Sequence, residues 1–371
     1  MNASPERIMY MAMELSNKEW KLVFTTTGGK LRLRTMAARQ LTRLLAEIAT
    51  AKEKLGLPKE ARVRSCFEAG RDGFWIHRFL TQQGVENLVV DPASIEVDRR
   101  LRRAKTDRLD AQSLAGRLVR YWENPAEGRT WRVVRVPSEE DEDARRPRRE
   151  TERLTEEQTG HLARIRSLLV LHGVSVKRVT RAMVTSVKDW ADRELPAGLR
   201  AELIREMDRL EQVREQLKAL TASQEKALAK PTTAGGKAAA KLIRLKSLGV
   251  ATAATLGYEF FGWRNFRNRR QVGACAGLTG TPYDSGGQRR EQGISKAGNR
   301  RVRQMMVEQA WRWLHWQPNS ELARWFRERF GTGGGRLRRV GIVALARKLL
   351  VAFWKYVAFD LVPAGAVLKT A

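Results

Sequence analysis

The chain has 371 residues, of which 42% are hydrophobic, and this length is enough for two or three domains that each bury a core. Its 70 Lys and Arg against 41 Asp and Glu give a net charge of +29, which predicts a polyanionic partner rather than a membrane surface. Two distant cysteines, four scattered histidines, no signal-peptide pattern and no run near 18 apolar residues argue against a disulfide framework, a zinc site and a membrane span, so we expect a cytoplasmic protein.

The first part of the chain alternates strand and helix patterns. The elements predicted in chain order are a strand at 7–15, a hairpin at 19–36 that turns at Gly28 and Gly29, a helix from Leu41, a strand ending at Gly70, a helix at 74–80 and a strand ended by Pro92. This order predicts a mixed α/β domain with a hairpin at its start.

Four carboxylates of this domain fall at the ends of predicted elements. Glu14 and Glu68 end two of the strands. Asp107 and Asp110 have the i, i+3 spacing that puts both on one face at the start of a helix. Acids gathered together repel each other unless a cation lies among them, and oxygen ligands suit Mg²⁺ or Mn²⁺ better than zinc. The pattern predicts a metal site, while helix-turn and surface ion-pair roles for the same acids remain open.

A basic run precedes and separates these acids. Residues 97–108 contain five Arg and one Lys. Among them, Arg102, Arg103 and Lys105 are candidate contacts to a nucleic-acid backbone. A solvated basic face would explain the same composition, so both interpretations stay open.

The middle of the chain has a helical pattern. An acidic and then a basic run from residue 138 predicts a connector or an exposed helix start, and residues 162–174 predict an apolar-faced helix. Between Leu195 and Lys230, apolar residues recur at spacings of four and three, which indicates a helix that pairs with another one in the same or a second chain. The segment PTTAGGKAAA, residues 231–240, predicts a flexible hinge.

The last third of the chain is strongly basic, with 25 Lys and Arg against 7 Asp and Glu in residues 231–371. Two short helices about a glycine-containing turn are predicted at 242–260, where backbone N–H groups could hold a phosphate. Trp263 and Phe266, interleaved with basic residues, fit either nucleic-acid contact or a core. Residues 340–359 predict an apolar packing helix, because three charges interrupt it.

The stretch GLTGTPYDSGGQRREQGISKAGNRR, residues 277–301, places Ser285 between Asp284 and two glycines. A pliant backbone would let its small hydroxyl approach a phosphate, and a solvated loop is the alternative. Ser295 predicts a helix N-cap or a phosphate contact. The basic residues that follow Ser285 are candidates for binding a nucleic-acid backbone: Arg289, Arg290, Lys296, Arg300 and Arg301.

The motifs MELSNKEW, CFEAGRDGFW and KTDRLDA, followed by GLTGTPYDSGGQRREQGISKAGNRRVR, resemble the DEDD-type insertion-sequence transposases related to the pilin-gene invertase. The resemblance runs from about residue 7 to about residue 357, in the same order. It implies an α/β protein with a RuvC-like RNase H fold at 1–180, a helical coiled-coil segment and hinge at 181–240, and a mostly α-helical transposase domain at 241–371.

The resemblance also implies roles for residues and partners. Glu14, Glu68, Asp107 and Asp110 would form the acidic tetrad that binds Mg²⁺ or Mn²⁺, and Ser285 would be the nucleophile. The first acid of the family is normally aspartate, and Glu14 is one methylene longer. Such enzymes cut and rejoin DNA through a serine-phosphate intermediate. They work as homo-oligomers, dimers or tetramers, at the prokaryotic nucleoid, guided by a structured bridge RNA that pairs with donor and target DNA.

Two other functional classes remain open at this point. A RuvC-like junction nuclease would use the same acids with metal-activated water as the nucleophile, and Ser285 would then be dispensable. A catalytically inactive nucleic-acid-binding relative would need neither the acids nor the serine.

Overall fold

The computed structural model describes residues 7–95, 107–124, 131–285 and 288–369, without the side chains of residues 93, 107–109 and 283–292. The chain divides into two compact units, with the boundary between Val136 and Pro137. The division at residues 180 and 240 drawn from the sequence stays a prediction. Across the described residues, no helix is both long and apolar enough to cross a bilayer.

The first unit is a mixed α/β structure, as predicted. Its elements are β1 (Met9–Leu15), β2 (Glu19–Thr25), β3 (Arg32–Ala37), α1 (Leu41–Lys54), β4 (Val63–Glu68), α2 (Trp75–Gln82), β5 (Glu86–Val90), a 3₁₀ turn (Pro92–Ser94) and α3 (Asp107–Glu123). The sheet has the order β3-β2-β1-β4-β5. The pairs β1-β2 and β2-β3 are antiparallel, as the predicted hairpin requires, while β1-β4 and β4-β5 are parallel.

Both faces of this sheet are buried. Met9, Met11 and Met13 of β1 pack with α1 and α2 on one face. Tyr10 and Ala12 of the same strand pack with α3 on the other face, because successive side chains of a strand point in opposite directions. Since helices cover both faces, the strand ends are the places where a polar side chain of β1 or β4 keeps access to solvent.

The second unit is mostly helical. Its elements are α4 (Glu139–Asp143), α5 (Arg146–Val170), α6 (Arg181–Ser186), α7 (Ala197–Ala229), α8 (Ala234–Ile243), α9 (Val250–Leu256), a π-helical turn (Gly257–Phe261), α10 (Arg269–Cys275), β6 (Gly280–Ser285), β7 (Gln288–Ile294), α11 (Arg300–Trp316), α12 (Glu321–Phe330) and α13 (Gly335–Phe359). The apolar C-terminal helix predicted from the sequence is α13, and its buried residues face the core of the unit.

The long helix α7 pairs with α5 of the same chain. Ile165 of α5 shares a buried cluster with Leu203 and Met207 of α7. At the other end of the pair, Gln224 donates a hydrogen bond of 2.8 Å to the Thr151 hydroxyl. Late residues of α5 therefore meet early residues of α7, and the two helices are antiparallel. The heptad-like spacing of α7 is thus satisfied within one chain, as a helical hairpin.

The hinge predicted at residues 231–240 is wrong, because most of this segment is helix α8. Thr233 caps the helix, and its hydroxyl accepts a hydrogen bond of 3.1 Å from the N–H of Gly236. The glycines serve close packing: a Cβ on Gly262 would lie 2.4 Å from the Cα of Gly235, and one on Gly257 would lie 2.3 Å from the Gly235 carbonyl oxygen. Helix α8 and the π-helical turn therefore approach through glycine surfaces.

Trp263 is a core residue, and the basic residues around it are structural. The guanidinium of Arg264 lies 3.7 Å from the Trp263 ring centroid, and that of Arg145 lies 5.2 Å away. Burial lowers the pKa of both guanidiniums. Buried Glu259, in the π-helical turn, accepts a hydrogen bond of 2.9 Å from Arg149 of α5. This ion pair connects the helical hairpin to the C-terminal core of the unit.

The segment around Ser285 is a β-hairpin, β6 and β7, anchored between α10 and α11. The Asn299 N–H donates a hydrogen bond of 2.8 Å to the carbonyl of Cys275, the last residue of α10. The Ser295 N–H donates one of 2.8 Å to the Thr279 carbonyl. The Arg303 guanidinium donates a third, of 3.1 Å, to the Ala276 carbonyl. These bonds close the base of the hairpin.

Two glycines permit this crossing of the backbone. Gly277 has φ of +66° and Gly298 has φ of +127°, both in the region that side chains disfavour. A Cβ on Gly298 would lie 2.3 Å from the Cys275 carbonyl oxygen, so the two backbone segments touch at this point.

We predict that Gly298→Ala destabilises the protein by at least about 1–3 kcal/mol, the usual cost of a backbone region reserved for glycine, with the clash in addition. Urea unfolding of the full chain measures this. Gly198→Ala is the matched control, because no atom lies within 4 Å of a Cβ built in this helical position and alanine favours a helix. Equal stability of Gly298→Ala and the unmodified protein would contradict this account of the hairpin base.

Candidate functional site

Glu14 and Glu68 lie side by side at the carboxyl ends of two neighbouring parallel strands. The register of β1 and β4 pairs Met13 with Phe67, so the next position along each strand is the glutamate. Alternation puts both glutamates on the sheet face of Ala12 and Cys66, which is the face covered by α3. Both carboxyl side chains are half-buried.

Helix α3 runs antiparallel to these strands. Near its C-terminal end, Glu123 accepts a hydrogen bond from the hydroxyl of Tyr10, at the start of β1. The guanidinium of Arg64, at the start of β4, lies 4.1 Å from the ring centroid of Trp122. The 17 residues of α3 span about 26 Å and the seven of β1 about 23 Å, so the helix begins near the level where the strand ends.

The first turn of α3 therefore lies toward the sheet edge that carries the two glutamates. Asp107 is the first residue of the helix, and Asp110 is one turn along it and half-buried. Among the side chains that the structure describes, which exclude that of Asp107, no group of three or more His, Cys, Asp or Glu could hold a metal ion. The donor set itself consists of carboxylate oxygens, which is the chemistry that Mg²⁺ and Mn²⁺ prefer.

Two neighbours affect the electrostatics of this edge. The register of β1 and β2 pairs Glu14 with Lys21, on the same sheet face. The sequence pattern did not single out Lys21, although the alternation of EWKLVF would have placed it opposite the acid. Burial raises the pKa of the Cys66 thiol, and the charge of Glu68 raises it further. Cys66 is thus a neutral core residue beneath the acids.

Ser285 is the last residue of β6 and pairs with Gln288 of β7. Its neighbours 286 and 287 lie outside the described residues, as does its own side chain. The Ser295 hydroxyl lies 3.3 Å from that of Thr279 at the hairpin base. The N-cap predicted for Ser295 is wrong, because the Asn299 side chain caps α11 by accepting a bond of 3.1 Å from Val302.

The basic residues chosen from the sequence have different surroundings. Arg102, Arg103 and Lys105 lie outside the described residues. Arg289 and Arg290 belong to β7, and their side chains are not described. Lys296 and Arg300 are exposed, and Lys296 has a left-handed backbone with φ of +56°. Arg301 donates a hydrogen bond of 2.6 Å to Glu152 of α5, so this side chain also has a structural partner.

Comparison with known proteins relates the chain to transposases. Residues 239–324, which include the hairpin and Ser285, match the model of the family described as Transposase IS116/IS110/IS902 family. A Sinorhizobium fredii protein named "Putative transposase y4rJ" is 41% identical over 98% of this chain and 95% of its own length. A Yersinia enterocolitica protein named "Transposase for insertion sequence element IS1328" is 30% identical over 33% of this chain and 36% of its own length. The chain therefore belongs to the IS116/IS110/IS902 family of transposases.

Proposed function

We propose that this protein is a DNA transposase of an insertion sequence that cuts and rejoins DNA through a covalent bond to Ser285. The observation that carries the proposal is the position of Ser285 at the end of β6, on an anchored hairpin inside the segment that matches the transposase family. A strand end on a fixed base presents a small hydroxyl without giving it a role in a core. The bonds at the hairpin base keep this presentation constant.

The acidic edge of the first unit is the second component. We propose that Glu14, Glu68, Asp107 and Asp110 hold Mg²⁺ or Mn²⁺ at the carboxyl ends of β1 and β4, in a RuvC-like RNase H fold. A bound divalent ion would polarise the phosphate and stabilise the leaving oxygen. The positive end of the α3 dipole favours the charged form of carboxylates in the first turn of the helix, which suits ligands for a cation.

The proposed exchange has two steps. In the first, the Ser285 oxygen loses its proton and forms a bond to phosphorus, while the bond from phosphorus to a deoxyribose oxygen breaks and that oxygen takes up a proton. In the second, a deoxyribose hydroxyl of the partner strand attacks the phosphoserine and the serine regains its proton. Serine is a weak nucleophile alone, so the acids must act together with it. They would come from the same chain or from another subunit of a dimer or tetramer.

The remaining partners follow from the resemblance and the charge. We propose that donor and target DNA duplexes and a structured bridge RNA bind this chain, with base pairing to the RNA selecting the sequences. The net charge of +29 supports a protein that holds several polyanions at once. Such a protein would work in the cytoplasm, at the prokaryotic nucleoid.

The nucleophile is tested by comparing Ser285→Ala with Ser295→Ala. We predict that Ser285→Ala forms no covalent DNA adduct and no recombinant product, since the bond-forming oxygen is absent. Ser295→Ala removes one hydrogen bond at the hairpin base, worth about 0.5–1.5 kcal/mol, and should still form adduct. Denaturing gels and mapping of the modified peptide measure both. Strand cleavage without adduct in the unmodified protein would instead indicate a junction nuclease that uses water.

The metal site is tested by Asp110→Asn. This change removes a charged ligand and keeps the shape of the side chain, so we predict loss of strand exchange with DNA binding largely retained, because basic residues elsewhere bind the backbone. Anisotropy measurements and exchange assays with added Mg²⁺ or Mn²⁺ separate the two effects. Normal exchange by this variant would remove Asp110 from the mechanism, and an unmodified protein inactive with either ion would indicate a binding protein.

The length of the first acid is tested by Glu14→Asp. Aspartate is the usual acid at this position of the DEDD-type transposases that the sequence resembles, so we predict that exchange activity is retained or increased. The rate at saturating metal and the metal concentration at half-activity measure the change. A folded protein without activity would show that the sheet edge requires the longer side chain.

A further inference from the structure

A groove of about 1380 Å³ lies on the second unit beside the hairpin base. Helix α13 forms one side, and Leu322 at the start of α12 and the segment 361–364 form another. Gly280 and Ile294, the first residue of β6 and the last of β7, form a third. The groove therefore adjoins the element that carries Ser285. It is larger than the about 300–1,000 Å³ that small-molecule pockets usually have, which favours a segment of a polymer.

The walls combine aliphatic side chains with cations. Val343 and Val351 of α13, half-buried, form part of the apolar surface. The same helix contributes five cations: Arg336, Arg339, Arg347, Lys348 and Lys355. Arg269 and Lys296 add two more, against one carboxylate, that of Glu321. Among the side chains that the structure describes, none of the five α13 cations has a recorded ion pair with a carboxylate.

This charge identifies the occupant as an anion. A second copy of a chain with net charge +29 would meet seven cations here and be repelled. A phosphodiester backbone has the complementary charge, and its regularly spaced phosphates suit cations at intervals along a helix. Arg347 and Lys355 are eight residues apart, which places them about 12 Å apart along α13, on nearly the same face.

The lining also discriminates between nucleic acids. It contains no Ser, Thr, Asn, Gln or Tyr side chain, so it lacks the neutral groups that read base edges or bind a 2′-hydroxyl. A ribose would put its hydroxyl against aliphatic surface, where an unpaired polar group is costly. Deoxyribose has no such group at that position. The groove is therefore suited to a DNA backbone of any sequence.

We propose that this groove binds a DNA strand through its sugar–phosphate backbone, adjacent to the phosphodiester that Ser285 attacks. The adjacency rests on the proposed function, since it takes Ser285 to be the nucleophile. Binding of DNA in the groove does not depend on it. The three charges that interrupt the apolar pattern of α13 thus have a role in holding substrate.

The test neutralises the groove in the full-length protein. Arg347→Gln, Lys348→Gln and Lys355→Gln are combined, and the control combines Lys177→Gln, Arg178→Gln and Lys218→Gln. The control residues are exposed on or near the helical hairpin and match the groove set in residue types and in charge removed. Binding of a single-stranded oligo(dT) is followed by fluorescence anisotropy across a salt series.

Each lost phosphate contact should reduce the slope of log affinity against log salt by about 0.7 for a single strand. The groove variant should therefore lose about 2 from the slope, so that the decrease in its affinity between about 50 and 200 mM salt is about 20-fold smaller. The control should keep the slope of the unmodified protein. Equal slopes for both variants would overturn the proposal, as would an unchanged slope with altered sedimentation, which indicates a protein partner.

A smaller variant guards against misfolding. Lys348→Gln with Lys355→Gln changes only exposed side chains and should still reduce the slope by about 1.4. Oligo(dU) and oligo(U) of equal length differ only in the 2′-hydroxyl, and we expect the unmodified protein to bind oligo(dU) more tightly, with the difference reduced in the groove variant. Equal binding of the two would overturn the assignment to DNA.

The two proposals fail in different ways. Adduct mapped to Ser285 with a normal slope in the groove variant would reject the groove and keep the nucleophile. A reduced slope in the groove variant with no adduct at Ser285 in the unmodified protein would reject the nucleophile and keep the groove.

Discussion

The antiparallel packing of α3 on β1 and β4 is the constraint on which the chemistry of the first unit depends. Small residues, Ala12 on the sheet and Ala111 and Ala115 on the helix, let the backbones approach. The direction of α3 is set by contacts at its far end, where the Tyr10 hydroxyl donates to Glu123. Burial and this carboxylate raise the pKa of Tyr10, so the hydroxyl keeps its proton at neutral pH. Core contacts thus direct the acidic helix turn to the acidic strand ends.

In the second unit, the cations divide into two groups that composition alone does not separate. Arg145 and Arg264 are placed over Trp263, and Arg149 pairs with buried Glu259. Guanidiniums suit these places, because they stay charged when burial lowers their pKa and can stack on aromatic rings. The cations along α13 are accessible from a groove. Only the second group has charge available to a polyanion, and it lies on the helix with the most apolar sequence.

The sequence predicted features with a local cause. Period-two alternation located β1 and β4 and the glutamates at their ends, and helical periodicity located α3, α7 and α13. It could not decide what a glycine does: in TTAGG the glycines permit the close approach of α8 to a neighbour 20 residues away, while the same letters fit a flexible linker. Ser295 was assigned to a cap because a helix follows, yet Asn299 is nearer to its start. The convergence of charges from α10, α13 and the hairpin base in one groove depends on tertiary packing.

The two cysteines of the chain differ in a way that is useful in the laboratory. Cys66 is fully buried in the sheet and its raised pKa leaves little thiolate, whereas Cys275 is partly exposed at the end of α10. A thiol-directed fluorophore would therefore label Cys275 first. That position is where the hairpin base is closed by the bond from Asn299. The native chain thus has a built-in attachment point for a spectroscopic reporter of the serine-bearing hairpin, without any engineered cysteine.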